Sequence, residues 1–231
     1  MNMASGDTHT VLRLADTKLV LGNVCATSVF NGRSLGDFAT LLAITGTSLG
    51  ATRALYRWLE SQGESYAWLE RGRGPEAIAS MDVMDAPPES WADLMVTVFV
   101  TEAATSAIAG RLVTHAERLL ANQAGMVSRD SAFHMAYCLG WLKVMAEHEM
   151  AGLRAALAVR LPLALRWVEE SDTLACEAFL EACAPLAELA GQPLPAAAPC
   201  PQQWDARLAR PQPLPAGLWE IVRFKDAELL A

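Results

Sequence analysis

One carboxylate, Glu102, lies in the middle of the most apolar segment of the chain, LMVTVFVTEAATSAIAGRLV. This segment belongs to a helix that we predict over about residues 90–120. Moving an unpaired carboxylate out of water is strongly unfavourable, and burial usually raises the pKa of the acid until it binds a proton. We therefore expect Glu102 to be either protonated or hydrogen-bonded. Its position makes it a candidate metal ligand, catalytic group or remnant of one.

Metal binding is the first chemistry that a buried glutamate suggests. A carboxylate-bridged di-iron site in a four-helix bundle takes one Glu from each of two helices and a Glu-x-x-His motif from each of the other two. None of the four histidines has a glutamate three residues before it. The polar residues left in the predicted helix centres are few, and most are poor iron ligands: Thr47, Ser48, Glu102, Thr105, Ser106, Asp130 and His134.

These residues are better suited to hydrogen bonding than to metal coordination. The hydroxyl groups of Thr105 and Ser106, one turn after Glu102, could hydrogen-bond its carboxyl group. Asp130 and His134 lie four residues apart and share a helix face, so they could pair with each other or with Glu102. We therefore predict no functional metal site and no catalytic residue in this chain.

The signals for nucleophilic or nucleotide chemistry are weaker still. His134 and Cys138 have the spacing of a base and a thiol on one helix face, but a core pair has the same spacing and no oxyanion-hole motif accompanies it. There is no P-loop, and Gly72-x-Gly74 is too short for a dinucleotide fingerprint. We do not expect catalysis on small molecules by this chain alone.

Composition and charge exclude several classes of protein. Of 231 residues, 52% are hydrophobic and 19% are charged, which indicates a folded chain with one sizeable core. The net charge is −8 and no Lys/Arg cluster is present, which argues against nucleic-acid binding. The apolar runs are interrupted before they reach bilayer length, and the N-terminus lacks a signal pattern, so we expect a soluble, cytoplasmic protein. The five cysteines form no Cys-x-x-Cys pair and are predicted to be reduced and structural.

The hydrophobic periodicity predicts an all-α fold. Apolar residues recur at intervals of three and four residues. Helices are therefore expected at about residues 10–29, 34–61, 90–120, 128–148, 150–170 and 173–190. Ser34 should cap the second helix, and Pro162 should kink or break the fifth. Gly46 and Gly50, one turn apart, should let a neighbouring helix approach closely.

The pattern of the fourth helix also predicts which of its faces is buried. Five residues at helical spacing read as its core stripe: Phe133, Tyr137, Gly140, Trp141 and Val144.

Two segments fall outside these helices. Residues 63–89 form a long connection, and connections of this length inside a compact domain are usually functional or contact a partner. Residues 191–231 form a proline-rich tail, separate from a bundle at residues 10–190. The tail ends in LWEIVRF, which could add a strand to a partner or could pack back on its own chain.

The order of these segments resembles the phenylacetic acid catabolic family, and within it the smaller, non-metal structural subunits of phenylacetyl-CoA epoxidases. The likeness covers roughly residues 10–175. It rests on short motifs in four successive helices: Leu12 to Asp16 and Leu19 to Leu21 in the first, Leu49, Gly50 and Arg53 in the second, Ala92-Asp93 and Glu102-Ala103 in the third, and Asp130, Phe133-His134 and Gly140-Trp141-Leu142 in the fourth.

The resemblance implies a ferritin-like helical bundle that pairs with a homologous subunit. In such proteins the homologous subunit holds the di-iron centre and oxidises an aromatic ring presented as a coenzyme A thioester. In this chain Thr105 stands where the third helix would carry a His and Ser48 where the second would carry an acid. The resemblance therefore implies a remnant metal site at Ser48, Glu102, Thr105, Asp130 and His134, with no metal or cofactor in this chain and di-iron in the partner.

We accordingly predict a catalytically silent subunit of a multicomponent di-iron monooxygenase. Two other hypotheses remain open at this point. The chain could be a stand-alone metal oxygenase with a reduced ligand set of Glu102, Asp130 and His134, or a ferritin-like binding or assembly protein without an oxygenase partner.

Overall fold

The computed structural model of the protein describes residues 3–197 and 203–223. Within these ranges the fold is all-α, as predicted, and contains no strand beyond one isolated bridge between Asp205 and Arg210. The seven α-helices are α1 (Met3–Ser28), α2 (Leu35–Ser61), α3 (Trp91–Leu112), α4 (Arg118–Ala146), α5 (Met150–Ser171), α6 (Cys176–Ala190) and α7 (Ala216–Val222).

Two helix starts are fixed by the same local motif. The Oγ atom of Ser34 accepts a hydrogen bond from the backbone N–H of Asp37, and the Asp37 carboxylate accepts one from the backbone N–H of Arg33. Ser90 and Asp93 repeat this arrangement at the start of α3. Each pair satisfies backbone donors that have no partner inside the helix, which confirms Ser34 as the predicted cap.

The bundle consists of two helical hairpins. Helix α1 packs along α2, α3 packs along α4, and α5 and α6 cover the opposite side of α3. This arrangement leaves α3 enclosed, with nearly every residue buried. Its length and apolar composition would suit a membrane span. However, 89% of its most apolar 18-residue stretch is buried inside the protein, so it serves as the central helix of the core.

The structure corrects three sequence-based expectations about the helices. The third helix ends at Leu112 and the fourth begins at Arg118, so the boundary lies earlier than predicted. Helix α5 continues through Pro162, so the predicted break is absent, and the alternative of a kink stays a prediction. A Cβ atom added to Gly46 or Gly50 would meet nothing within 4 Å, so no helix in the described residues packs against these glycines.

The predicted core stripe of α4 is wrong for Phe133, Gly140 and Val144, whereas Tyr137 and Trp141 pack against the core. Phe133 and Val144 are 71% and 54% exposed, and Gly140 is exposed as well. Tyr137 and Trp141 are half-buried and donate hydrogen bonds of 2.7 Å to the carboxylate of Asp37. The buried stripe follows a different set of positions at the same spacing: Leu120, Ala124, Val127, Ser131, His134, Cys138, Leu142 and Met145. Periodicity gave the helix correctly but not which of its two apolar stripes faces inward.

The long connection between α2 and α3 is anchored to the body by buried ion pairs. Arg73 donates two hydrogen bonds of 2.7 Å to the carboxylate of Asp16 on α1, which also accepts from the hydroxyl of Tyr56 at 2.6 Å. Both charged groups are almost fully buried. Burial opposes the charge on Arg73, but the Asp16 carboxylate outweighs it and raises the pKa of the guanidinium.

The far end of the connection is held in the same manner. Asp82 pairs with Arg166 of α5, and Asp93 accepts two hydrogen bonds from Arg160, which also donates to the carbonyl of Val83. Residues 78–84 are all buried. The second half of the connection is therefore part of the core, whereas most of residues 63–77 are exposed or half-buried.

The described part of the C-terminal segment packs back on its own chain. Its last residues form helix α7 and not the strand that LWEIVRF suggested. Arg210 is fully buried and donates to both carboxylate oxygens of Asp85 at 2.7 Å and to the hydroxyl of Ser80 at 2.8 Å. On α1, the buried Arg13 donates to the carbonyl oxygens of Glu170 and Ala206. Residues 203–223 thus cover the outer side of α1.

A polar layer at the centre of the bundle

Each of the four central helices brings a polar residue into an otherwise apolar interior. Helix α1 contributes Lys18, which belongs to the same buried stripe as Leu14, Leu21 and Cys25. Ser48 lies on the buried stripe of α2, and Ser131 and His134 lie on that of α4. Glu102 is the contribution of α3 and is fully buried. We call Lys18, Ser48, Glu102, Ser131 and His134 the polar layer.

Glu102 is the centre of this layer because three other members bond to its carboxylate. The ammonium group of Lys18 pairs with Oε2, and the hydroxyl of Ser131 donates to the same oxygen. The Nδ1 atom of His134 lies 2.8 Å from Oε1. Lys18 also donates to the Ser131 hydroxyl at 3.2 Å. Both carboxylate oxygens are therefore satisfied inside the bundle.

The carboxyl group of Glu102 is ionised. Burial alone would raise its pKa, but the charge of Lys18 and the hydrogen bond from His134 outweigh burial and lower the pKa to about 2. Of the two states expected from the sequence, the structure thus has the hydrogen-bonded one and not the protonated one. A buried carboxylate is tolerated here because a buried ammonium neutralises it.

The histidine extends the layer towards the surface between α2 and α4. Nε2 of His134 lies 3.2 Å from the hydroxyl of Thr47, which is half-buried and also bonds to the backbone carbonyls of Ala43 and Ile44. Because Nδ1 faces a carboxylate, that nitrogen carries the proton. The ring is therefore held at both nitrogens.

The remaining residues predicted for this site take other roles. The Thr105 hydroxyl donates to the backbone carbonyl of Glu102 at 3.2 Å, as helical threonines commonly do, and not to the carboxylate. Asp130 is half-buried, and no hydrogen bond or ion pair in the described ranges joins it to Glu102 or His134. Ser48 is buried, and its hydroxyl finds no hydrogen-bond partner among the described residues. The structure thus brings Glu102 and His134 together and leaves Thr105 and Asp130 outside.

The sequence reasoning missed Lys18 and Ser131. A signal for Lys18 was present, because it follows Leu14 by four residues and precedes Leu21 by three, which is core spacing. A lysine at such a position needs a buried anion, and Glu102 is the acid at the centre of the most apolar helix. Ser131 precedes His134 by three residues, which is the spacing of a Glu-x-x-His motif with serine in the place of glutamate.

This donor set does not fit a di-iron centre. The architecture of such a centre calls for a carboxylate from each helix and a histidine from two of them. Lys18, Ser48 and Ser131 supply no carboxylate, and Ala51 stands three residues after Ser48 where a histidine would be needed. Across residues 3–197 and 203–223, no cluster of three or more His, Cys, Asp or Glu side chains could hold a metal ion. The carboxylate of Glu102 already carries an ammonium partner.

Comparison with known protein families gives a match over most of the chain. No curated protein matches the chain. The family described as phenylacetic acid catabolic protein matches residues 3–194, which is far more than half of the sequence and includes every member of the polar layer. The chain therefore belongs to the phenylacetic acid catabolic protein family.

Proposed function

We propose that this protein is a catalytically silent subunit of a multicomponent di-iron monooxygenase that acts on an aromatic acyl-CoA in phenylacetate catabolism. The observation that carries this proposal is the ion pair between Lys18 and Glu102 at the position where a bundle of this kind would bind metal. Family membership supplies the pathway. A cytoplasmic location fits a pathway of this kind.

The electrostatics of the polar layer support a silent role. One ammonium and one carboxylate leave the layer neutral without any bound ion. Iron would add several positive charges beside Lys18, and Glu102 is the single carboxylate there to compensate them. Binding would require Lys18 either to lose its proton inside the core or to leave the core, and both are costly.

The proposed contribution of this subunit is structural. A homologous subunit would hold the di-iron centre and carry out the oxygen chemistry, while this chain supports it through a helical face and could border the site for the acyl-CoA. The tight core around Glu102 suits such a role, because a fixed charge pair keeps α1 and α3 in register without a cofactor.

Elemental analysis tests this proposal. The full chain is purified alone and again after co-expression with its genomic neighbours, and iron is measured by mass spectrometry. We expect far less than one iron per chain in the isolated protein, and two irons per complex when a ferritin-like partner co-purifies. The isolated chain, given ferrous iron, oxygen and phenylacetyl-CoA, should show no turnover.

Other outcomes would select the alternative hypotheses. Stoichiometric iron in the isolated chain that is lost in Glu102→Ala would indicate a stand-alone metal oxygenase. Recovery of the chain without any ferritin-like partner would indicate a binding or assembly protein.

A further inference from the structure

A cavity of about 300 Å³ opens between α1, α2 and the first part of the long connection, and we call it the α1/α2 cavity. Its apolar lining comes from Leu19 of α1 and from Gly46, Leu49 and Gly50 of α2. We propose that this cavity binds a medium-chain fatty acid, with the carboxylate at Arg53 and the alkyl chain along the two glycines. This proposal concerns the chain by itself and does not depend on the proposed function.

The two glycines of α2 keep the α1/α2 cavity open. Glycine inside a helix is destabilising relative to alanine, and α2 carries two of them one turn apart. A Cβ atom at Gly46 or Gly50 would meet nothing within 4 Å, so close packing of another described helix does not explain them. Larger side chains at these positions would instead occupy the cavity. The glycines therefore supply volume that a ligand can fill.

One end of the cavity is polar and carries a positive charge that is not neutralised. Arg53, Tyr66 and Glu70 line this end. The Tyr66 hydroxyl donates to the Glu70 carboxylate at 3.3 Å, and the other carboxylate oxygen lies 3.5 Å from Nε of Arg71. Within residues 3–197 and 203–223 the guanidinium group of Arg53 forms no hydrogen bond or ion pair. Arg53 is therefore the charge that a ligand would meet, and its natural partner is an anion.

The other polar side chains of the lining already have partners. The hydroxyl of Thr52 donates to the backbone carbonyls of Ala15 and Ser48. The hydroxyl of Tyr56 donates to the carboxylate of Asp16 at 2.6 Å. These hydroxyl groups have no donor left for a second polar group of a ligand. The cavity thus calls for a ligand with one anionic end and an apolar remainder.

The charges at the polar end select an anion with a single charge. A dianion such as phosphate would lie near the Glu70 carboxylate, with Arg53 alone to compensate it. The next cation of α2, Arg57, is engaged elsewhere: its guanidinium carbon lies 3.8 Å from the ring centroid of Tyr66, and it donates to Glu60 at 2.8 Å. A guanidinium binds a carboxylate through two parallel hydrogen bonds. A monocarboxylate therefore fits this end of the cavity.

The spacing along α2 gives the shape of the apolar remainder. Gly46, Gly50 and Arg53 line one side of the cavity, and the rise from the first to the last is about 10 Å. The hydrogen bond from Thr52 to Ala15 sets the register of α1 against α2 and places Leu19 at the apolar end. An extended saturated acid of about eight carbons is also about 10 Å long. A single ring would leave part of this apolar lining uncovered.

The test uses the purified full chain and octanoate at neutral pH. Isothermal titration calorimetry should give one site per chain with a Kd below about 1 mM. Octan-1-ol lacks the charge and octylamine has the opposite charge, so both should bind at least about fivefold more weakly. Hexanoate should bind more weakly than octanoate, with the Kd rising about fourfold for each methylene group removed.

Four variants assign the binding to the α1/α2 cavity. Gly50→Leu fills the cavity and should raise the Kd for octanoate at least about tenfold. Gly152→Leu on α5 is the matched control, because a Cβ there is equally free, and it should change the Kd less than about twofold. Arg53→Met should raise the Kd at least about fivefold, whereas Arg53→Lys should keep most of the affinity. Circular dichroism and thermal unfolding verify that each variant is folded.

Three results would overturn the proposal. The first is no measurable binding of octanoate, or binding that Gly50→Leu and Arg53→Met both leave unchanged. The second is tighter binding of benzoate or inorganic phosphate than of octanoate, because the ligand would then belong to another chemical class. The third is binding to the isolated chain that disappears when a co-expressed partner is bound, because a protein surface would then occupy the cavity.

Discussion

The ammonium group of Lys18 on α1 lies against the carboxylate of Glu102 on α3, and both side chains are almost completely buried. Each residue without the other would leave an isolated charge in the protein core, which is strongly destabilising. The pair therefore links the first helix to the central one by a charge interaction.

The first prediction concerns the energy of this pair. Lys18→Met leaves Glu102 without its counter-ion and should lower the free energy of unfolding by about 3–5 kcal/mol. The double variant Lys18→Met/Glu102→Gln should lose much less than the sum of the two single variants. Urea unfolding followed by circular dichroism measures the free energy of unfolding of each variant.

The exposed pair Arg57 and Glu60 is the control, and a double-mutant cycle there should give a coupling energy of less than about 1 kcal/mol. A coupling energy between Lys18 and Glu102 no larger than that of the control would contradict a buried pair.

A second prediction compares two substitutions at Glu102. Glu102→Gln keeps the shape and can still bond to His134 and Ser131, whereas Glu102→Lys would place a second ammonium beside Lys18. Glu102→Gln also leaves the Lys18 ammonium without a counter-ion and should lower the Tm, but we expect this variant to fold, whereas Glu102→Lys should be largely insoluble or unfolded. Equal yields and equal Tm values for the two variants would mean that the site tolerates charge.

The third prediction is a loss of stability in acid. The folded-state pKa of Glu102 is about 2, against a reference value of 4.5. Because the folded-state pKa is the lower one, the contribution of Glu102 is fully present above about pH 4.5 and is lost as the pH falls towards 2. Its size is about 3 kcal/mol. Urea midpoints between pH 5 and pH 2.5 should fall more steeply for the wild type than for Lys18→Met/Glu102→Gln.

A fourth prediction concerns the thiols. Burial raises the pKa of the Cys25, Cys138 and Cys183 thiols, so these groups stay protonated and out of reach of reagents. Cys176 is only half-buried. Cys200 lies outside the described residues, so the experiment uses Cys200→Ser. Native protein should react with Ellman's reagent at one thiol at most, and protein in guanidinium at four. Rapid reaction of three or four native thiols would disagree with this core.

The fifth prediction tests the attachment of the C-terminal segment. Arg210→Met removes the ion pair with Asp85 and should loosen residues 203–223. The amide of Leu214, which donates to the carbonyl of Pro75 at 3.1 Å, should then exchange its hydrogen faster, while amides of α3 keep their protection. Arg223→Met, at an exposed pair with Glu220, serves as the control and should leave the exchange rate of Leu214 unchanged.

Local patterns in the sequence predict most of this fold. Ser34 and Asp37 predict the start of α2, and the three-and-four spacing of apolar residues predicts helices close to those observed. The same spacing could not tell the two stripes of α4 apart, because Phe133 and Cys138 are both apolar. That choice depends on which face meets the other hairpin.

The polar layer shows a similar limit. Glu102 stands out from sequence because its own helix is apolar, and His134 follows from its spacing. Lys18 lies more than eighty residues away from Glu102 along the chain, so its pairing depends on the packing of α1 against α3. The buried ion pairs of Arg73, Arg160 and Arg210 have the same origin, since each joins segments distant in sequence.

The cover over α1 has a consequence for synthesis. Arg13 donates to the carbonyl of Ala206, a residue that the ribosome adds roughly 10–40 s later at ordinary elongation rates of about 5–20 residues per second. During that interval the hairpins can pair, but the outer side of α1 has no native cover. The nascent chain therefore presents this side of its first helix to chaperones for most of its translation, and native burial there is completed only after residues 203–223 have left the exit tunnel.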